Sequence, residues 1–328
     1  MKPFNKKFLI RVCKYCGICI VSILALLFIL PYVFPEAISK KIKAWANESV
    51  TSKLDFSKAS LSFFNHFPSL TLTIQDVSIM SAAPFQTDTL VSAKEIAFGI
   101  DVTSVFSDAI NINKIFFSGA NIHVKVSRDG KAGYNIYKSS SSKTEDTATS
   151  GTGLRLESIV LENCNLHYDD QSIPVTIIAD NLNYTGKGDL SKSVFDLATR
   201  LSVDSFSFVY NGEAYLNKKP LKAKMITKIN TNSLALVFEK NKIRINRLPV
   251  MFEGRFNFLK NGYDMDFSLA SPKATLEEII TAIPPDLTDW LDHTRVKGNA
   301  AFNMRLKGVY SKEMNKAPNL DASVNIKG

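Results

Sequence analysis

The first clean alternation of apolar and polar positions lies in "LTLTIQDVSIM", residues 70–80. Leu70, Leu72 and Ile74 take one face of an extended strand, and Thr71, Thr73 and Gln75 take the other. The phase slips at Asp76 and resumes with Val77 and Ile79. The same period of two returns in "IAFGIDV" (96–102), "IHVKV" (122–126), "FSFVY" (206–210), "LALVF" (234–238), "IRI" (243–245), "RFNFL" (255–259), "YDMDFSL" (263–269) and "AAFNMRLKG" (300–308). Turn chemistry separates these runs: "RDG" at 128–130, "EKNK" at 239–242 and "KNG" at 260–262. The pattern predicts a mostly β chain whose strands pair as a long, twisted, antiparallel meander.

A weak internal repeat accompanies the strands. "INKIFFSGANIHVKV" (112–126) aligns with "LESIVLENCNLHYDD" (156–170) at an offset of 44, matching Ile115 to Ile159, Phe117 to Leu161, Asn121 to Asn165, Ile122 to Leu166 and His123 to His167. A second echo pairs "AKEIAFG" (93–99) with "ADNLNYT" (179–185). Asn121 and Asn165 read as turn or bulge residues between two strands.

Two segments break the pattern. "SSSSKTEDTATSGTG" (139–153) is polar and free of aromatics, which predicts a flexible polar linker between a first block of strands (51–138) and a second (154–328). Loop length enters closure entropy only logarithmically, so its deletion is expected to be tolerated. "ATLEEIITAIPP" carries a capping box, Thr275 with Glu278, ahead of Leu276, Ile279, Ile280 and Ile283, so a short helix is expected near 275–283. A further turn is expected near Asp289–Trp290.

Helices to cover the apolar face are therefore scarce. A sheet of this size exposes far more than the few hundred Å² that a monomer tolerates. Either a second sheet packs on it as a sandwich, or the sheet curls into an open groove lined by lipid chains. In the groove reading the lining is Leu70, Leu72, Ile74, Ile96, Phe98, Ile122, Val124, Phe206, Phe208, Leu234, Leu236, Phe238, Tyr263, Met265, Phe267, Leu269, Phe302 and Met304, with the alternate positions facing water. The final run, "LDASVNIKG", ends with Leu320, Ala322, Val324 and Ile326 still alternating and no edge protection. A sheet built to be extended, by more chain or by a partner, fits the groove and is expected of a piece of a longer protein.

The N-terminus alters the picture. Residues 16–34, "CGICIVSILALLFILPYVF", carry no charge and are long enough to span a bilayer as a helix. Five cations and no acid precede them in the basic segment 1–15, which predicts a cytoplasmic N-terminus with everything after Phe34 across the membrane. A cleaved signal peptide is the rival reading, with "AWA" at Ala44–Ala46 as its site. Segment 36–50 places Ile38, Ile42, Trp45 and Val50 near one helical face. It reads as an amphipathic helix on the membrane surface or as a connecting helix packed on the first strands.

Composition then excludes some functions. The 328 residues are 45% hydrophobic and 22% charged, which is globular rather than disordered. The net charge of +9 includes +6 from residues 1–50, so the rest carries only +3 and a nucleic-acid partner is not expected. Cys13, Cys16 and Cys19 have the spacing C-x2-C-x2-C but sit at the mouth of the apolar helix, and Cys164 has no partner beyond it. His66, His123, His167 and His293 are scattered without metal-ligand spacing. No nucleophile elbow, phosphate loop or paired acid site is legible, so catalytic residues, metal and cofactor are all expected to be none, and an enzyme is not expected.

The chain after Phe34 resembles the AsmA family of Gram-negative envelope proteins. The resembling stretches are "LDFSKASLSFFNHFPSLTLTIQDVSI" (54–79), "LVSAKEIAFGIDVTSVF" (90–106), "INKIFFSGANIHVKVSRDGKAGYNI" (112–136), "ATLEEIITAIP" (274–284) and "GNAAFNMRLKGVY" (298–310). The resemblance implies an inner-membrane anchor, a periplasmic repeating β-groove similar in design to the chorein-type bridge proteins of eukaryotes, and phospholipid movement toward the outer membrane. The implied partners are phospholipid acyl chains, the inner membrane, and further strands or an outer-membrane-side partner at the C-terminal edge. Family members are usually much longer. The alternative kept open is a membrane-tethered structural or assembly factor for outer-membrane biogenesis, with a closed sandwich and no conduit.

Overall fold

The computed structural model describes residues 50–62, 70–101, 111–136, 154–283, 296–311 and 313–327, together with Tyr15, Lys43 and Asn47. The expected anchor at 16–34, Cys13, Cys16 and Cys19, His66 and His293, and the turn near Asp289–Trp290 lie outside the described residues. Among the described residues no helix is long and apolar enough to cross a membrane. Lys43 and Asn47 are helical. Lys43 pairs with Asp55, and Asn47 exchanges two bonds with the backbone of Leu54 at 2.9 and 3.0 Å. The segment is tied to the first strand at these two residues.

In chain order the elements are β1 (Leu54–Asp55), β2 (Lys58–Ser62), β3 (Leu70–Met80), β4 (Thr89–Ile100), β5 (Ile112–Val126), β6 (Leu154–Asp170), β7 (Val175–Lys187), β8 (Val194–Tyr210), β9 (Glu213–Asn230), β10 (Ala235–Ile245), β11 (Leu248–Leu259), β12 (Gly262–Thr275), α1 (Leu276–Ala282), β13 (Asn299–Tyr310) and β14 (Asn319–Lys327). All the strands belong to one 14-stranded sheet. Its spatial order follows the chain from β3 to β14, with β1 and β2 both on the free side of β3.

The chain is a meander except at one place. β5 and β6 run parallel, which corrects the all-antiparallel expectation. The register explains why: Ile115 faces Ile159, Phe117 faces Leu161, Asn121 faces Asn165 and His123 faces His167. These are the residues matched by the internal repeat. The two copies lie side by side related by translation, and translation without inversion leaves strands parallel. The chain must then return from the end of β5 at Val126 to the start of β6 at Leu154, which pairs with Ile112. Fourteen residues of strand are roughly 45 Å. The expected flexible linker at 139–153 lies outside the described residues, and the connection between the two strands has that distance to cover.

A line of left-handed residues, with bulges in some strands, crosses the sheet. Asp76, Gly119, Asn163, Asn181 and Lys218 take left-handed backbone, with φ of 52, 58, 51, 51 and 50°. The phase slip at Asp76 is this left-handed residue: Gln75 pairs with Glu95 and Val77 with Ala93, so Asp76 and Lys94 are both skipped while the register is kept. Register shifts recur between Leu161 and Leu166 in β6 and between Val203 and Val209 in β8. A bulge bends its strand and increases its twist, so a row of them creases the whole sheet. Asn121 and Asn165 are not between strands; each sits inside one continuous strand just past the bulge. "EKNK" at 239–242 is not a turn either. It lies within β10 at a register shift, where the buried Asn241 accepts the N–H of Ile226 at 2.8 Å in place of a ladder carbonyl.

On the concave side of the crease the side chains are small and fully packed. Val77, Ala93, Ala120, Cys164, Ala179 and Val203 are buried and form one cluster with Ile74, Ile96 and Leu182. Bending brings these rows together, and only short side chains fit. A second cluster, Leu248, Val250, Ala274 and Ala282, lies where α1 packs, with Ile279 against it. The predicted capping box is present: the Thr275 hydroxyl accepts from the Glu278 N–H at 3.2 Å and the Glu278 carboxylate accepts from the Thr275 N–H at 2.8 Å. The turn "KNG" joins β11 to β12, where Leu259 faces Gly262.

Candidate functional site

The concave face carries an unbroken apolar rung. Reading the register across ten strands gives Ala59, Ile74, Ile96, Phe117, Leu161, Tyr184, Leu201, Ala223, Ile243 and Val250, each directly opposite the next. A cavity of about 900 Å³ follows this rung from β6 to β12, with Leu161, Tyr184, Leu201 and Ile243 in its lining. A parallel row of Leu54, Ile79, Val91, Ile122, Leu166, Ala179 and Phe206 runs on the other side of the crease. Rows of this kind follow from strict alternation in every strand, because a period of two places each strand's apolar set on the same face.

Toward the C-terminal side the lining becomes aromatic. Phe267 on β12 has its ring centroid 5.9 Å from that of Phe238, 5.5 Å from that of Phe252 and 6.0 Å from that of Phe256, the last with nearly parallel planes at 8°. Tyr263 stacks on Phe256 at 5.3 Å. Gly254, across from Phe267, makes room: a Cβ there would stand 2.3 Å from the Asp266 carbonyl oxygen and 2.9 Å from the Phe267 Cα. These rings gain about 0.5–1.5 kcal/mol per pair beyond their area burial.

The sheet also curls. Asp170 ends β6 and Tyr263 begins β12, six strands away, which in a flat sheet is roughly 29 Å. Yet burial first, and the Asp170 carboxylate after it, hold the Tyr263 phenol above its ordinary range, and burial, then Tyr210 and Asp170, do the same to Tyr310 on β13. The Tyr168 hydroxyl donates to Asp170 at 2.8 Å. Burial first, and the Asp170 carboxylate second, push the Tyr168 phenol well above its ordinary range, so it stays protonated and donating.

Of the residues expected to line a groove, Leu70, Leu72, Ile74, Ile96 and Phe98 are brought together on β3 and β4 by direct pairing. Ile122 and Val124 follow on β5, Phe206 and Phe208 on β8, Leu236 and Phe238 on β10, Tyr263, Met265, Phe267 and Leu269 on β12, and Phe302 and Met304 on β13. Leu234 is a correction. It precedes β10 in a turn with φ 49° and is 55% exposed, because the chain must reverse there before the ladder starts. Thr71 and Thr73, on the opposite face, are another: both are buried, with hydroxyls that find no partner among the described residues. Ala97, across from Thr73, is also buried, so the back of β3 and β4 is covered rather than wet.

Sequence reading missed the crease residues Ala93, Ala120, Cys164 and Ala179 and most of the central rung. Their signal was the break of phase next to a Gly, Asn or Asp. Cys164 is free and fully buried, its thiol held above its ordinary value by that burial. His123 and His167 stand as an exposed cross-strand pair, ring centroids 5.9 Å apart. The outer edge stays open: on β14, Leu320, Val324 and Ile326 are 60, 50 and 64% exposed.

No curated protein matches the chain. The family model of the AsmA family matches residues 10–249, from the N-terminal segment through β10 to the first residues of β11, where the parallel repeat, the line of left-handed residues and the greater part of the apolar rung all fall. The chain belongs to the AsmA family.

Proposed function

We propose that the concave apolar face holds phospholipid acyl chains and lets them move along it, in a protein anchored in the inner membrane with its β-sheet in the periplasm. One observation carries the reading: the described strands form a single sheet whose apolar rung runs uninterrupted across ten strands, with no second sheet packed on it among the described residues. Ile74, Ile96 and Ala223 are covered by the protein itself, while the half-buried Phe117, Leu161, Tyr184, Leu201 and Ile243 leave apolar surface for an occupant, and a mobile one suits a face that is continuous across the strands. Family membership supports an envelope role. The open β14 edge offers a place for further strands or for an outer-membrane-side partner.

A photo-crosslinker at Phe267 tests this. It should capture phospholipid in the cell, while one at Ser268, on the opposite face of the same strand, should not. Mass spectrometry of the purified chain should find phospholipid beyond what its detergent shell carries. Neither crosslink nor lipid would return the protein to the alternative, a tethered assembly factor with a closed interior.

A further inference from the structure

On β8, β9 and β10 the positions that alternate with Leu201, Ala223 and Ile243 carry a cluster of cations on the convex face, at residues that also border the cavity. Arg200 faces Lys224, Lys224 faces Lys242, and Lys222 faces Arg244 across adjacent strands. All five side chains are exposed. None has a carboxylate within ion-pair distance among the described residues. Asp196 and Asp204 sit at the rim, Asp196 opposite Lys228 and Asp204 bonded to Asn181 at 2.6 Å. The same face a few strands on is arranged differently. There Asp266 receives Arg305 at 2.9 and 3.0 Å and Lys307 at 3.9 Å, and Arg255 lies 3.9 Å from Asp264. Like charges directly opposite on a sheet destabilise it, so folding alone does not account for the cluster on β8–β10.

Exposed apolar side chains share this face. Ile226 stands between Lys224 and Lys228 along β9, Val237 faces Lys228, and Met251 faces Lys242. Ile226 is 47% exposed and Met251 48%. A soluble polyanion would gain from the cations and nothing from these. A bilayer interface gains from both, since phosphate headgroups meet the charges while short apolar groups and the lysine stems enter the headgroup boundary.

We propose that this convex face docks on an anionic bilayer surface, holding the sheet against the membrane while the opposite, concave face is free. This goes beyond the conduit reading and does not depend on it, because the two faces do not share side chains.

The test uses the full chain reconstituted into vesicles, with Cys13, Cys16 and Cys19 changed to Ser, Cys164 to Ala, and Ile226→Cys carrying a polarity-sensitive fluorophore. In vesicles containing phosphatidylglycerol, lipid-borne quenchers should reach the probe. In pure phosphatidylcholine they should not. The variant Lys224→Gln/Lys242→Gln relieves like-charge repulsion and should fold at least as well by circular dichroism, yet its quenched fraction should fall about fivefold or more, as should that of the parent in half-molar salt. Equal quenching in both lipids, or an unchanged variant, overturns the proposal. So does protection from aqueous iodide by soluble polyphosphate that matches the protection given by anionic vesicles, since the site would then be one for soluble polyanions. The milder groove variant Phe267→Leu, checked for folding by circular dichroism, should leave this quenching unchanged, which separates failure of the docking from failure of the conduit.

Discussion

Asn165 donates its side-chain amide to the Asn121 carbonyl oxygen over 2.8 Å, across the parallel junction of β5 with β6, and its own carbonyl oxygen accepts the backbone N–H of Asn181 at 3.0 Å. Asn181 in turn donates to Asp204 at 2.6 Å. A short chain of side-chain bonds therefore crosses β5, β6, β7 and β8 along the bulge line, serving backbone groups that the bulges remove from the ladder.

Asn181 holds a left-handed φ of 51°. Ala at this position would meet a backbone cost of about 1–2 kcal/mol and lose the Asp204 bond, whereas Gly meets no steric cost. Urea unfolding should rank wild type above Asn181→Gly and Asn181→Gly above Asn181→Ala. Equal stability of the two variants would show that the bulge is not held in this conformation. Asn165→Ala should cost about 1 kcal/mol on its own, the worth of ordinary hydrogen bonds at an exposed site.

Deletion of residues 139–153 should break the pairing of β5 with β6. Only two residues, 137 and 138, would then join Ile136 to Leu154, and they reach about 10 Å of the roughly 45 Å required. A Gly/Ser stretch of equal length should restore the fold. A deletion variant with wild-type thermal unfolding would refute the parallel crossover.

Cys164 is fully buried in the crease, its thiol donating to the Glu162 carbonyl at 3.4 Å. With the other three cysteines changed to Ser, it should resist maleimide at neutral pH until the chain is unfolded. Burial and the raised pKa act together, since the thiolate is the reactive form. Cys164→Leu should destabilise by about 1–3 kcal/mol through overpacking. Rapid labelling of the native chain would place the crease in solvent.

Phe267→Asp puts a carboxylate among Phe238, Phe252 and Phe256. Desolvating it costs several kcal/mol unless water reaches it. In an open groove the protein should stay folded and stop passing lipid. In a closed interior it should unfold. Asp266→Lys, on the opposite face, keeps lipid passage in either case. Circular dichroism and a lipid-transfer assay on the same preparations separate the outcomes.

Asp266 supplies a pH signature. The Arg305 guanidinium beside it holds its carboxyl below the ordinary 3.8. A depressed carboxylate stabilises the folded state above its unfolded pKa, and that stability is lost as pH falls through the lower, folded value. The difference in urea midpoint between wild type and Asp266→Asn should therefore be present at pH 7 and shrink once the pH falls below the ordinary carboxylate value and through the lower, folded one. A difference that persists at low pH would mean that the carboxylate is not the group responsible.

Much of this architecture was legible in the chain itself. Alternation in "LTLTI", "IAFGI" and "YDMDFSL" fixes which side chains share a face, because a strand offers only two. The slip of phase at Asp76 marked where the strand changes its alternation. Thr275 and Glu278 announced the helix, since both capping bonds are local. Other features were decided by partners far along the chain. The parallel register of β5 and β6 follows from placing two copies side by side, which an alignment offset of 44 records without saying whether the copies touch. The burial of Thr71 and Thr73 depends on what covers the back of β3. Leu234 keeps the alternating pattern yet turns away, because the reversal before β10 claims its backbone. The curl that lets Tyr263 feel Asp170 is the sum of many small bends, none of them visible in one strand. Local period sets the face of each residue; only the assembled sheet decides what that face meets.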